Sequence, residues 1–235
     1  MNDANTLARW IQPHHLDPEV VRSHAERFAS TPARMATLED FLLPDVAERL
    51  HRFLRDEAQF AKEYGLYSVD HGVSREEWDQ AAEEDRFFTF GKLEGTAPDA
   101  QFSPNMLTYL RFRKAFQEDA FRTYFEGLTG MALAASDDFG VHSLTAGDFL
   151  KSHDDDNKDR QVALVLYLTP EWRPEFGGAL NMIDREGTLT KVDSLFNTIV
   201  VFDVRAGTTH HIAPIDRAAG SLARLTIGGW YHRVA

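Results

Sequence analysis

The chain has no cysteine, and this absence excludes disulfides, iron–sulfur clusters and thiolate-ligated metals. Any metal must therefore sit on histidine, aspartate or glutamate, which are harder ligands. Long apolar runs are also missing. The longest, Val162 to Leu168, has the length of a strand and falls well short of the ~20 residues that span a bilayer. Met1 to Trp10 carries Asp3 and lacks the apolar stretch of a secretory signal, so a cytoplasmic location is expected. Positive charge is scarce: 25 Lys and Arg stand against 37 Asp and Glu, for a formal net charge of -12. Such a surface repels phosphate backbones and anionic membranes, which argues against nucleic acid or a membrane as partner.

What is present fits one sizeable domain, or a domain with a helical extension, over 235 residues. The 17 phenylalanines predict an aromatic core. Up to about residue 130 the apolar spacing is mostly helical. Val46, Leu50, Phe53 and Leu54 follow Pro44-Asp45 at helical intervals. Ser74 and Glu77 form a capping-box pattern that predicts a helix running to about Asp85. Phe116, Ala120, Phe121, Tyr124, Phe125 and Leu128 make a further stripe that Gly130 would stop. Pro13-His14-His15 and the stretch from Gly95 to Pro104 read as loops. Beyond residue 130 the segments shorten and become β-rich: Val162 to Leu168, Ala179 to Ile183 after the Gly177-Gly178 turn, Thr198 to Phe202, and Arg224 to Tyr231. Several short strands separated by turns predict a sandwich or barrel.

One constellation carries chemistry. His153 and Asp155 are two residues apart, so on a strand or strand end both side chains point the same way. His210, in Thr208-Thr209-His210-His211-Ile212, is the best candidate for a third ligand. Two imidazoles and one carboxylate on one face of an octahedron leave three positions open, an arrangement that suits iron(II) oxygenases. Each piece alone is bland, since Asp154 to Asp156 also reads as a solvated acidic turn. Arg224 opens an otherwise apolar strand, and an inward guanidinium needs an anionic mate, ideally a bidentate carboxylate. Tyr167 offers a hydroxyl for the same group. A dicarboxylate cosubstrate accounts for both, whereas a structural ion pair and core packing account for each separately.

In this order and spacing the stretch from about Gly140 to Tyr231 resembles the double-stranded β-helix domain of Fe(II)/2-oxoglutarate dioxygenases, in their prolyl 4-hydroxylase-like branch. The matching residues are Gly147-Asp148-Phe149-Leu150 before His153-Asp154-Asp155, then Arg160, Leu166 to Pro170 and Trp172. Gly177 to Leu180, Asn197 to Phe202, His210 to Pro214 and Arg224 to Tyr231 follow. The resemblance implies an α+β fold whose double-stranded β-helix (jelly-roll, cupin-like) core occupies residues 131–235. A mainly helical region, residues 1–130, would cover that core as part of one cooperative unit. It implies iron held by His153, Asp155 and His210, and 2-oxoglutarate held by Tyr167 and Arg224, with O2 as second cosubstrate and L-ascorbate as a familiar companion. Related halogenases replace the carboxylate by a small residue, so Asp155 implies a hydroxylase. Many relatives carry a tyrosine upstream of the first metal histidine; here that position is Leu144, with His142 on the same strand face.

The reaction expected is oxidative decarboxylation of 2-oxoglutarate coupled to hydroxylation of an unactivated C–H. The substrate would be a proline-like or other small amino-acid or biosynthetic molecule, or alternatively a prolyl residue in a protein. Asp156, Asn157, Arg160 and Trp172 are the candidate substrate contacts, and Tyr109, Arg111 and Arg113 could close the pocket. A zinc hydrolase could use the same three ligands but gives Arg224 and Tyr167 no special purpose, and a metal-binding β-barrel protein without catalysis would leave His153 and Asp155 merely structural.

Overall fold

The computed structural model describes residues 6–96, 102–157 and 159–234. Helix α1 spans Pro18–Ser30, α2 Pro44–Arg52, α3 Arg75–Gln80, α4 Pro104–Phe116 and α5 Asp119–Thr129. Each start has a local cause. Proline occupies the first turn of α1, α2 and α4, where its missing N–H costs nothing. Ser74 and Glu77 close the capping box that opens α3. That helix ends at Gln80, short of the expected Asp85. Gly130 terminates α5 in the left-handed conformation, φ 70°. Phe116, read as part of one stripe with residues 120 to 128, closes α4 instead. Pro13–Leu16 forms a short 3-10 turn. Of the loop expected before Pro104, residues 97–101 lie outside the described ones. Among the described residues, no helix is long and apolar enough to cross a membrane.

Twelve strands follow in chain order: β1 Met35–Leu38, β2 Ala58–Leu66, β3 Arg86–Thr96, β4 Leu133–Ala134, β5 Phe139–Leu144, β6 Phe149–His153, β7 Arg160–Tyr167, β8 Leu180–Ile183, β9 Leu189–Val192, β10 Thr198–Asp203, β11 Thr209–Ile212 and β12 Arg224–Arg233. They form one antiparallel sheet in the order β1-β10-β7-β12-β5-β3-β6-β11-β8-β9, with β2 added on β3 and β4 on β12. Leu180, Met182 and Val192 from one end of that order pack on Ala163, Val200 and Phe202 from the other. The sheet is therefore rolled on itself as a jelly roll, with an inside and an outside.

The apolar run in β7 shows how the two faces are assigned. Val162, Leu164 and Leu166 point out into the main core beneath α1, α2, α4 and α5, whereas Ala163, Val165 and Tyr167 point in. Strand β10 does the same, with Ile199 and Val201 outward and Val200 and Phe202 inward. A run that alternates in fate but not in polarity is the mark of a strand covered on both faces. The first 130 residues are not only helical. They contribute β1, β2 and β3, and β3 lies in the middle of the sheet between β5 and β6. Its residues Phe88 and Phe90, two apart and so on one face, stack at 4.5 Å. Charged and glycine residues interrupt the apolar pattern of this strand and conceal it in the sequence.

Two buried histidines knit α1 to the preceding turn. His15 Nε2 donates to the Glu39 carbonyl at 2.8 Å, and its Nδ1 lies 3.3 Å from His24 Nε2. Burial above all, then the neighbouring His15, pushes the His24 pKa down to about 4. A histidine whose folded pKa lies below its unfolded value binds fewer protons folded than unfolded between the two. Its stability contribution is therefore complete above about pH 6.5 and is lost as pH falls towards about 4. In urea titrations, unfolding free energy is expected to drop by roughly 1–2 kcal/mol between pH 7 and pH 5 on account of His24. A His24→Leu variant should show a correspondingly shallower pH dependence; an unchanged slope would contradict this assignment.

Candidate metal centre

Strand β6 ends on His153, and antiparallel β11 places His210 directly opposite it, with ring centroids 4.2 Å apart. Asp155 follows just beyond the strand end. His153 Nε2 lies 3.7 Å from Asp155 Oδ1, and His210 Nε2 lies 3.5 Å from Oδ2. One ligand atom from each of the three lies within 4.8 Å of the others. These gaps are too long for strong hydrogen bonds. They are near the ~3 Å separation of neighbouring donors on one ion with bonds of ~2.1 Å.

The surroundings fix each donor. His153 Nδ1 lies 3.0 Å from the Lys151 carbonyl, which can only accept, so Nδ1 carries the proton and Nε2 presents its lone pair. Burial, reinforced by His153 and His211, holds the His210 pKa well below its ordinary value, so the ring is neutral. The Trp230 indole N–H donates to Asp155 Oδ2 at 3.1 Å. Arg160 lies 3.5 Å from Oδ1, stacks over the Trp230 ring at 3.6 Å, and is held from behind by Asp138 at 2.7 and 3.1 Å. Nothing local in the sequence marks Asp138, because the contact joins residues far apart along the chain.

The cluster lines a cavity of about 690 Å3, which Phe87, Phe88 and Phe90 of β3 also line. Tyr167 and Arg224 belong to the same lining, from β7 and β12. Arg224 is only 2% exposed, and no carboxylate pairs with it among the described residues. Its Nε donates to Ser194 Oγ at 2.7 Å, and its guanidinium lies 4.9 Å from the Tyr167 ring centre. Its Nη2 and the Tyr167 hydroxyl, both buried, reach no protein partner within close hydrogen-bond distance, and the two groups interact with each other across a longer gap. Burial presses the guanidinium pKa below its ordinary value and raises that of the phenol. Two unsatisfied donors, one of them cationic, thus lie buried in the lining of the cavity that also holds three lone-pair donors. That is the chemistry of a site for a metal and an anion. Gly178 makes the approach possible: at φ 69° it takes a left-handed turn, and a Cβ there would meet Arg224 Cδ at 2.8 Å.

Not every expected residue lines this cavity. Asn157 and Arg160 do. Asp156 lies outside it and pairs with Arg205 at 3.1 Å. Trp172 is buried beside Phe176, with its indole donating to the Gly177 carbonyl at 3.1 Å. Tyr109 stacks on Phe53 in the helical core, and neither it nor Arg111 nor Arg113 reaches the lining. Leu144 does line it, as does His142.

A rolled antiparallel sheet thus brings two imidazoles and a carboxylate together in one cavity with an arginine that no carboxylate pairs. Residues 139–232 match the family model of the 2OG-Fe(II) oxygenase superfamily. The chain is thus similar over those residues to that family, which uses Fe(II), 2-oxoglutarate and O2. It is 31% identical over 126 residues to prolyl 3-hydroxylase OGFOD1 of Mus musculus, covering 51% of this chain and 23% of that protein. It is 34% identical over 100 residues to prolyl 3-hydroxylase sudestada1 of Drosophila melanogaster, covering 37% and 18%. The match thus spans about a quarter or less of the length of these curated relatives. In fold, it resembles a prolyl-4-hydroxylase of Pseudomonas putida, with TM-score 0.60, 20% identity, and 92% and 100% of the two chains covered. A prolyl hydroxylase of Trichoplax adhaerens, solved with a hypoxia inducible factor peptide fragment, gives TM-score 0.60 at 15% identity, covering 92% and 90%.

An uncompensated buried cation costs stability when no anion is bound. Arg224→Met is therefore expected to stabilise the ligand-free protein by about 1–2 kcal/mol, read as a higher urea midpoint. A loss of stability would mean that the contacts to Ser194 and Tyr167 already outweigh the cost of burial.

Proposed function

We propose that this chain is an iron(II)- and 2-oxoglutarate-dependent hydroxylase that acts on a prolyl residue within a polypeptide. The observation that carries the reading is the pairing of two incomplete sites in one cavity: three converging donors, and a buried guanidinium with no acid of its own. His153, Asp155 and His210 hold the iron. Tyr167 and Arg224 take the distal carboxylate of 2-oxoglutarate through the two donors that otherwise lack partners. Iron with its cosubstrate supplies the oxidising chemistry, in which 2-oxoglutarate, O2 and a C–H bond yield succinate, CO2 and a C–OH group.

The protein's own contribution is position and dryness. The Lys151 carbonyl keeps His153 in the ligating tautomer, and Trp230 and Arg160 aim the Asp155 carboxylate. Arg224, anchored on Ser194, sets where the cosubstrate ends and so where oxidation occurs. The phenylalanine wall from β3 excludes water and suits an apolar pyrrolidine ring. Asn157 and Arg160, on the lining beside the metal donors, are the proposed contacts for the substrate.

Two observations favour a polypeptide. A second pocket, lined by Trp78, Phe149, Lys151, Ile183 and His211, borders the cavity at the shared residues Tyr67, Leu150, Ser152 and Ile212. It has room for chain flanking the target residue, and a free small molecule, the first expectation from the sequence, would leave it unused. The relatives and structural neighbours named above also carry prolyl hydroxylase names.

Succinate release with proline-containing peptides and with free proline tests the reading. Peptides should stimulate release above free proline, and His153→Ala or His210→Ala should reduce it to background. Full turnover in either variant would remove the ligand assignment, and stimulation by free proline alone would remove the polypeptide.

A further inference from the structure

The register of three central strands sets up a row of side chains. Thr226 of β12 lies opposite His142 on β5 and opposite Tyr167 on β7, and all three line the cavity. Neighbouring strands lie ~4.8 Å apart, so the imidazole and the phenol flank Thr226 from its two sides. Arg224 stands two residues along β12, on the same face. A carboxylate held over Thr226 by Arg224 and Tyr167 therefore has His142 on its remaining side.

The imidazole is free to make that contact. It makes no hydrogen bond among the described residues. Its ring contact is the edge-on approach to Phe90, at 4.8 Å and 70°. Burial first, then the charges of Arg224 and Lys92, pushes its pKa down to about 4, so at neutral pH it offers one N–H and one lone pair. The ring lies against Gly140, where a Cβ would come within 2.6 Å of His142 Cε1. The glycine leaves the space in which the ring rests.

Resting on the function proposed above, we infer that His142 is a third contact to the distal carboxylate of 2-oxoglutarate, donating a hydrogen bond beside Tyr167 and Arg224. It shares a strand face with Leu144, whose side chain offers no polar group.

Calorimetric titration of the zinc-loaded protein, which binds without turnover, provides the test. The two probes are 2-oxoglutarate and 2-oxopentanoate, which has the same chain without the distal carboxylate. His142→Leu should weaken 2-oxoglutarate binding about tenfold, whereas His142→Gln, which keeps a donor, should stay within about threefold of the unaltered protein. Neither change should alter 2-oxopentanoate binding. Should His142→Leu not fold, Gly140→Ala, which displaces the ring without removing it, should show the same selective weakening. Unchanged 2-oxoglutarate affinity in these variants, or equal weakening of both probes, would overturn the inference while leaving the proposed function standing. If the unaltered protein binds neither probe, both fall.

Discussion

A slip of one residue in β12 between β5 and β7 would turn Arg224, Thr226 and Trp230 out towards the helices and bring Leu225 and Ile227 into the cavity. The observed register is held on both flanks by apolar burial. Leu225, Ile227 and Tyr231 face the helical core, with Val162, Leu164 and Leu166 of β7 beside them. The buried cation is thus placed by the hydrophobic preference of its neighbours and not by an acid of its own. The same pleat places Trp230 against the Asp155 carboxylate, so one strand carries both the buried guanidinium and the donor that braces the proposed metal ligand.

This arrangement is costly in an empty protein. Three lone-pair donors converge where they repel one another, and a guanidinium is buried without a counter-charge. The expense is met by the surrounding core, in which Phe112, Phe116, Phe121 and Phe125 from α4 and α5 pack with Tyr231 on the outer face of the sheet. Helices and roll share one core, because the outward residues of β7, β10 and β12 pack in the same cluster as the helix residues. Rigidity bought outside the sheet is what lets the inside remain unsatisfied.

Much of this was legible in the sequence, for identifiable reasons. His153 and Asp155 share a face by strand periodicity alone, and Arg224 declared itself as a charge opening an apolar strand. The capping box at Ser74 and the stop at Gly130 are local signals, and both appear as local structure. Strand β3 was hidden because Lys92, Glu94 and two glycines interrupt its alternation; it pairs with β2 along its whole length but meets β5 and β6 over only two residue pairs each. Asp138 and Ser194 were invisible because their partners, Arg160 and Arg224, are reached through space. Trp172 shows the limit of a residue type as a signal. A tryptophan after a Thr-Pro turn can face a ligand or fill a hole, and here its indole is satisfied by the Gly177 carbonyl inside a small core.

The contact between the Trp230 indole and the Asp155 carboxylate has an optical consequence. An indole excited state responds to charge and proton acceptors at its N–H, and this N–H touches a group whose effective charge falls when a cation arrives. The guanidinium of Arg160 lies over the ring face, 3.6 Å from its centre, and reaches the same carboxylate at 3.5 Å, so the chromophore borders a fixed positive charge as well as the variable negative one. On the proposed ligand assignment, the strand that carries Trp230 thus holds a fluorescent gauge of metal occupancy.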